Sequence, residues 1–551
     1  MSFPPPSLAK GQACLDCRRR KVKCDGIRPV CGPCSRAERF EDCEYRTGKG
    51  PSNMQLIEDS ISHIQHRIMD LEVRNPAPSV HLKSPYTTHS IAPHPHPSRP
   101  HEHSGVCFES LTAAHAQHCP GSGRSRADIL SPQILSLALD TIAPHAHEVG
   151  FFLNQTRFRN ACFGMGSSYE RPPEPLLSSV CLWGACLSSS EPLGPLENNF
   201  LSRALKLSTT ILSSTHRLKI IYGIQTEVFL CQYFLHKGRP VEAQYHLSLA
   251  VSYVVLGDFA KIRSARNVQA AGVMRSPISF PKDCVEEGET IIGFWTVLSL
   301  DKIWSSILNS ASHFGSDASS EVDTPWPMEM EKYERNQLPQ QLVTVNTAQM
   351  FIDDVPGSDR DGTSYMTILA KSGLLLDRAT IVGRQWRANM SQAETAAFFK
   401  TFTKLNNRIK KFRDSLPPPS SFASCSVTLK PRIVLAHSIA HAATIQLNRT
   451  FITVNPECKK LCLTACSSIV WIIRTVSLKT VTYINPIIGS IWSATGQMLF
   501  QEIAQLRAVP KAEEAVADMA SAYDEIVAVV AHFSRNCPFM REPSRSGHIV
   551  F

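Results

Sequence analysis

Six cysteines fall within thirty residues near the start of this chain. They are Cys14, Cys17, Cys24, Cys31, Cys34 and Cys43, spaced C-x2-C-x6-C-x6-C-x2-C-x8-C. Each of the two C-x2-C pairs can place two thiolates on one tetrahedral metal ion at about 2.3 Å, and disulfide pairing has no need of such pairs. Six ligands are too many for one zinc and two short of the eight that two separate zincs need, so two thiolates must bridge a pair of ions. A segment this short cannot bury a core. Metal binding must therefore supply most of its folding free energy, on the order of 10 kcal/mol or more per structural zinc. The preceding stretch, Met1–Lys10, is proline-bearing and lacks a secretory pattern, so a disulfide staple in an oxidising compartment is not expected.

Between Cys17 and Cys24 lie Arg18, Arg19, Arg20, Lys21, Val22 and Lys23, five cations in six positions. From Lys10 to Gly50 eleven Lys and Arg stand against six Asp and Glu, within a chain of net charge +9. Six thiolates and two divalent ions would hold a small negative charge inside and leave a basic exterior able to meet phosphate. The same run could also act as a nuclear-import signal, and the two readings are compatible. The run from Cys14 through Cys17, Arg18-Arg19-Arg20-Lys21-Val22-Lys23, Cys24, Asp25-Gly26-Ile27-Arg28-Pro29, Cys31 and Cys34 to Cys43 resembles the binuclear zinc cluster of fungal transcription factors. By that resemblance two Zn(II) are bound per chain, one by Cys14, Cys17, Cys24 and Cys31 and the other by Cys31, Cys34, Cys43 and Cys14. Cys14 and Cys31 would be the bridges. It also implies double-stranded DNA as partner, with Arg20 and Lys21 at the positions that contact bases in the major groove. Lys and Arg donate to guanine O6 and N7, so a CGG-like triplet is the expected half-site. Arg18, Lys23 and Arg28 are the expected phosphate contacts. Gly26 and Pro29 suit the turn between the two metal-binding halves.

A triplet recurs by chance about every 64 base pairs, so one cluster cannot select a promoter, and two copies are expected. Met54, Ile57, Ile61, Ile64, Ile68 and Leu71 step by three and four, which is an a/d heptad seam for a coiled coil. Arg67 at g and Glu72 at the following e allow one interhelical ion pair. The seam spans about two and a half heptads and is marginal alone. A homodimer is expected on the strength of the resemblance.

The domain plan is then a disordered N-terminus (1–12), the cluster (13–46), a linker (47–53), the dimerisation helix (54–74), a disordered Pro/His/Ser-rich linker (75–125) and an all-α domain (126–551). In the long linker, Ala92-Pro93-His94-Pro95-His96-Pro97 has no apolar periodicity, and its prolines disrupt the spacing that histidine ligands would need. The C-terminal region reads as successive helices. Phe200, Leu201, Ala204, Leu205, Leu207, Ile211 and Leu212 mark one apolar face. A helix over 218–236 stops at Lys237-Gly238-Arg239-Pro240, and another runs over 241–256 to Gly257. Phe398, Phe402, Leu405, Ile409, Phe412 and Leu416 form a further stripe, ended by Pro417-Pro418-Pro419. The fold class is mostly α: a small two-zinc cysteine cluster, a short coiled coil, a disordered linker and a large helical domain.

Ile224-Gln225-Thr226-Glu227-Val228, Gly288 to Trp295, Leu300-Asp301-Lys302, Asp323-Thr324-Pro325-Trp326-Pro327 and Ser415-Leu416-Pro417-Pro418 resemble landmarks of the fungal-specific transcription factor domain. Where that family usually has Asp-Arg, this chain has Asp301-Lys302, which keeps the charge but loses the planar fork. The resemblance implies a regulatory domain that works with the transcription machinery or co-regulators and is open to a small-molecule effector.

No catalytic constellation emerges, and the chain is read as a non-enzyme. His437 and His441 are spaced as in a zinc-protease helix, but Ser438, Ile439 and Ala440 leave no general base between them. Cys458, Cys462 and Cys466 step by four and read as small buried hydrophobes rather than a sensor. Val481–Phe500 is twenty residues without a charge, yet its polar content and Pro486 favour a bent, buried helix pair over a membrane span. The N-x-S/T triplets at Asn154, Asn389 and Asn448 carry no weight in a nuclear protein. The expected function is a nuclear, zinc-dependent, sequence-specific regulator of RNA polymerase II transcription. The competing reading is metal sensing or storage without DNA, and the basic run and the heptad seam argue against it.

Overall fold

The computed structural model describes residues 13–37, Cys43, Tyr45, Ser62 and most of 130–541; within the last span, 166–169, 189–190, 267–279, 316–320, 358–363, 419 and 421–426 fall outside. The chain divides into two units, Met1–His118 and Cys119–Phe551. Ser62, inside the heptad seam, is helical. The seam residues Met54, Ile57, Ile61, Ile64, Ile68 and Leu71, the N-terminus and the 75–125 linker lie outside the described residues.

In the first unit α1 (Leu15–Arg19) and α2 (Gly32–Arg36) are built alike. Each starts on the leading cysteine of a C-x2-C pair. Cys14 and Cys31 are the N-caps, both in extended backbone, and Cys17 and Cys34 follow one turn later. Five-residue helices cannot hold themselves in water. What surrounds them is the six cysteines, all buried, with only Ala13, Val30 and Tyr45 partly buried against them.

The second unit is helical throughout, with no strand among the described residues beyond a lone bridge between Ser264 and Thr344. Its helices are α3 (Pro132–Ile142), α4 (Gln155–Phe163), α5 (Glu174–Leu187), α6 (Glu197–Ser208), α7 (Lys219–His236), α8 (Pro240–Leu256), α9 (Cys284–Ile307) and α10 (Met330–Glu334). They continue with α11 (Thr347–Ile352), α12 (Tyr365–Gln385), α13 (Gln392–Ser415), α14 (Lys430–Asn448), α15 (Pro456–Val476), α16 (Ile487–Leu506), α17 (Glu513–Ser534) and α18 (Pro538–Arg541). Three helices form the centre: α7 is buried from Ile220 to His236, α9 from Gly293 to Ile307, and α14 from Val434 to Asn448. Helices enclosed on all sides have no polar face. Around them α8 packs on α7, α12 on both α9 and α14, and α15 on α14. Trp183, Trp295, Trp304 and Trp492 are fully enclosed.

The connection after α7 shows how the sequence sets these pairs. Gly238 has φ +72°. The Arg239 N–H donates to Phe234 O at 2.8 Å and the Gly238 N–H to Leu235 O at 3.0 Å. This is a Schellman closure with glycine at the left-handed position, and Pro240 opens the next helix. Phe398, Phe402, Leu405, Ile409 and Phe412 of α13 and Leu416 at its C-cap are all buried, and Ser391 with Glu394 forms a capping box at its start.

Two expected elements differ. The face from Phe200 to Leu212 is not one helix: α6 ends at Ser208, Ile211 is buried in a separate 3-10 turn, and Leu205 and Leu212 stay exposed. Val481–Phe500 is not a helix pair either. Residues 481–485 are non-helical, and one helix, α16, begins after Pro486. Proline disfavours helical backbone at Asn485, whose side chain instead accepts from the Ile487 N–H and donates to Glu148 O. Among the described residues no helix is long and apolar enough to cross a membrane.

Candidate metal centre and nucleic-acid interface

The two helix starts bring the cysteine sulfurs together. Cys14 Sγ lies 3.6 Å from Cys31 Sγ and 3.7 Å from Cys34 Sγ, and Cys17 Sγ lies 3.5 Å from Cys31 Sγ and 3.8 Å from Cys34 Sγ. An S–S bond is about 2.05 Å, so these are not disulfides. Ligands about 2.3 Å from a tetrahedral ion sit about 3.8 Å apart along each edge, close to the Cys14–Cys31, Cys17–Cys31 and Cys14–Cys34 separations. Two groups of four have all their sulfurs within 4.8 Å of one another: Cys14, Cys17, Cys24 and Cys31, and Cys14, Cys31, Cys34 and Cys43. Cys14 and Cys31 belong to both groups. The donor set therefore fits two zinc ions sharing two thiolates, and all four coordination positions of each ion would be filled by sulfur. Such ions supply folding free energy and no open position for chemistry.

The basic run sits on this knot of sulfur. Arg18, Arg19, Arg20, Lys21, Val22 and Lys23 are all exposed, whereas Cys17 and Cys24 on either side are buried. Helix α1 ends in the same closure as α7: the Val22 N–H donates to Cys17 O at 3.0 Å and the Lys21 N–H to Arg18 O at 3.3 Å. Here the left-handed position is held by Lys21, with φ +55°. A residue with a Cβ pays about 1 kcal/mol for that conformation. Arg18, Lys21 and Lys23 have no acidic partner among the described residues.

Three supports were not singled out from the sequence. Asp16 is buried, and its carboxylate accepts from Arg19 and from Arg20, each at 3.1 Å. Burial works against its charge, but Arg20 and Arg19 outweigh burial and hold its pKa below the ordinary carboxylate value. Arg20 is thus steadied from behind, with its side chain 34% exposed. Asp25 takes the N–H of Gly32 at 2.9 Å, which serves an orphan amide at the start of α2. Tyr45 donates to Ile27 O at 2.9 Å, and the Arg28 guanidinium stacks over its ring at 4.7 Å. The signals were present: an acid three and four residues before two arginines for Asp16, and an aromatic two residues past the last cysteine for Tyr45.

Other sequence candidates are structural. His437 and His441 are buried in α14, and burial lowers their pKa values to about 4 and about 3, so both are neutral at neutral pH. Cys458, Cys462 and Cys466 are buried on α15, and burial pushes the Cys462 thiol up to about 12. Asp301 and Lys302 are buried at the centre of α9. Asp301 accepts from the Ser312 hydroxyl and the His313 N–H. Lys302 donates to Ser312 Oγ and Gly315 O, each at 2.9 Å, and lies 3.6 Å from Asp377. Three separate acceptors suit the point charge of an ammonium better than a guanidinium fork.

Residues 12–52 match the fungal Zn(2)-Cys(6) binuclear cluster domain. Among curated relatives, the notoamide biosynthesis cluster transcriptional coactivator notQ' of Aspergillus versicolor is 43% identical over 68 residues, 12% of this chain and 13% of the relative. The C6 finger domain transcription factor hasF of Aspergillus fumigatus is 51% identical over 51 residues, 8% of this chain and 6% of the relative. The sorbicillinoid biosynthetic cluster transcription factor sor4 of Hypocrea jecorina is 32% identical over 140 residues, 22% of this chain and 19% of the relative. The chain thus spans less than a fifth of the length of each of these three. No solved structure matches it.

Proposed function

We propose that this chain, whose residues 12–52 form a fungal Zn(2)-Cys(6) binuclear cluster domain, is a nuclear, sequence-specific DNA-binding regulator of RNA polymerase II transcription. The observation that carries the reading is the exposed cationic run Arg18–Lys23 fixed on a buried, metal-competent sulfur cluster. A metal store needs the cysteines but gives the surrounding cations no role. Lys21 reads guanine in a CGG-like triplet from the end of α1, and Arg20 reads beside it, oriented by Asp16. Arg18, Lys23 and the Tyr45-stacked Arg28 hold phosphates. The cluster acts in a homodimer joined through the seam from Met54 to Leu71. The helical region from 126 onward is the regulatory fungal transcription factor domain, through which co-regulators and the transcription machinery are met.

The test separates reading from holding. Lys21→Ala in the full chain relaxes preference for a CGG-bearing duplex over a scrambled one, by about 1–3 kcal/mol of discrimination. Lys23→Ala weakens binding to both duplexes alike and lowers the slope of log K against log salt by about one. If both substitutions act uniformly on the two duplexes, the assignment of Lys21 to base reading is wrong.

A further inference from the structure

The helical unit contains a cavity of about 460 Å3, within the range of about 300–1,000 Å3 that small-molecule sites occupy. Helix α9 supplies one wall at helical spacing: Ile292, Thr296, Ser299, Leu300, Ile303 and Trp304. Opposite are Met366 and Leu369 of α12, Leu435 of α14 and the 150–156 segment. Apolar and polar surface share the lining about equally, which suits a ligand with an apolar body that also carries polar groups.

The polar groups in the wall are the informative part. Gln232, Ser299 and Trp304 are 2%, 4% and 2% exposed, and all three line the cavity. Gln232 Oε1, Ser299 Oγ and Trp304 Nε1 have no hydrogen-bond partner. A buried polar group left without a partner costs about 1–3 kcal/mol, and native structures rarely keep three around one space. Arg432 also lines the cavity, but it is committed to an ion pair with the buried Glu148 at 3.6 Å. The three unpartnered groups offer one acceptor in Gln232, one donor in Trp304 and the two-way hydroxyl of Ser299. On the exposed side of the lining stand Glu331 and Glu334, whose charge disfavours an anion.

We propose that this cavity is a binding site for a neutral, oxygenated small molecule with an apolar ring body. Its carbonyl oxygen accepts from Trp304 Nε1, and a hydroxyl donates to Gln232 Oε1. The site stands independently of the DNA-binding reading, because its residues all belong to the helical unit and its test reads no DNA.

The probe is Prodan, a neutral naphthalene ketone whose emission shifts to the blue in an apolar site. With the full chain, emission shifts saturably in the micromolar range. Trp304→Phe keeps an aromatic ring and deletes the unpartnered donor, and it weakens Prodan binding about three- to tenfold. Far-ultraviolet circular dichroism shows that this variant still folds, so that the loss is read as Prodan binding by a folded chain. Ser299→Leu narrows the cavity, deletes the second orphan and also weakens binding. Absence of a saturable shift with the native chain at up to about 100 µM overturns the site, as does native affinity in both variants.

Discussion

Helices α1 and α7 end in the same pattern of hydrogen bonds but with different residues at the left-handed position. At the end of α7 it is Gly238, the residue that costs least there, and at the end of α1 it is Lys21. The difference follows what each unit is for. In the helical unit the turn only has to pass the chain from α7 to α8, and the stability comes from a continuous core. In the cluster unit there is no core to speak of, the sulfur set holds the chain, and the turn carries a cation outward at a local cost of about 1 kcal/mol.

The largest test of this contrast is removal of the metal. Chelation, or Cys14→Ser or Cys31→Ser at a shared ligand, should unfold the first unit outright, a loss on the order of 10 kcal/mol. The helical unit should keep its far-ultraviolet circular dichroism and its melting transition. If both units melt together on chelation, their stabilities are not separately founded. The converse substitution is Trp295→Ala. Trp295 is fully buried, donates to Pro325 O at 2.7 Å and stacks on Trp326 with ring centroids 4.4 Å apart. Its truncation should cost about 3–5 kcal/mol in denaturant unfolding of the helical unit and leave zinc stoichiometry unchanged.

The two units should also respond to pH with opposite sign. Burial raises the pKa of Glu148 and of Glu289 to about 7 from 4.5, against the opposing pull of Arg432 on the first and of the Asn154 N–H on the second. Between pH 4.5 and 7 the folded helical unit holds protons that the unfolded chain releases, so these groups' contribution is present below 4.5 and lost as pH rises to 7. Glu148→Gln should flatten that dependence by on the order of 1–3 kcal/mol, read from urea unfolding at a series of pH values. The cluster unit should lose metal in acid, because its thiolates must be deprotonated to bind. The smallest effects return to the two helix ends. Gly238→Ala should destabilise the helical unit by about 1 kcal/mol, and Lys21→Gly should stabilise the metal-loaded cluster by a similar amount while relaxing triplet preference.

Much of this contrast was legible in the sequence, for identifiable reasons. Cysteine spacing is a local code, and the two groups of four sulfurs coincide with the sets implied by the resemblance. The Gly238-Arg239-Pro240 punctuation and the stripe from Phe398 to Leu416 are local too, and they located α7, α8 and α13. The misreadings arose where a local pattern met a tertiary constraint. Val481–Phe500 carries no charge because most of it is buried, which does not make it helical on both sides of Pro486. Leu205 lies in α6 but on its exposed side, and Leu212 lies past the end of that helix. The α9 wall of the cavity could be seen only in three dimensions, because its partners come from positions as far apart as His147 and Ile487. Asp16 and Tyr45 had local signals that were passed over for a different reason: their value lies in the arginines they position, not in metal binding or DNA contact of their own.

The central claim is that buried sulfur and exposed cations together make a DNA reader. Its most direct test is selection from random duplexes with the full chain, run with and without a zinc chelator. The account predicts enrichment of CGG-like triplets, recovered in pairs, and loss of that enrichment with chelator. Enrichment of no triplet, or the same sequences with and without chelator, would contradict it.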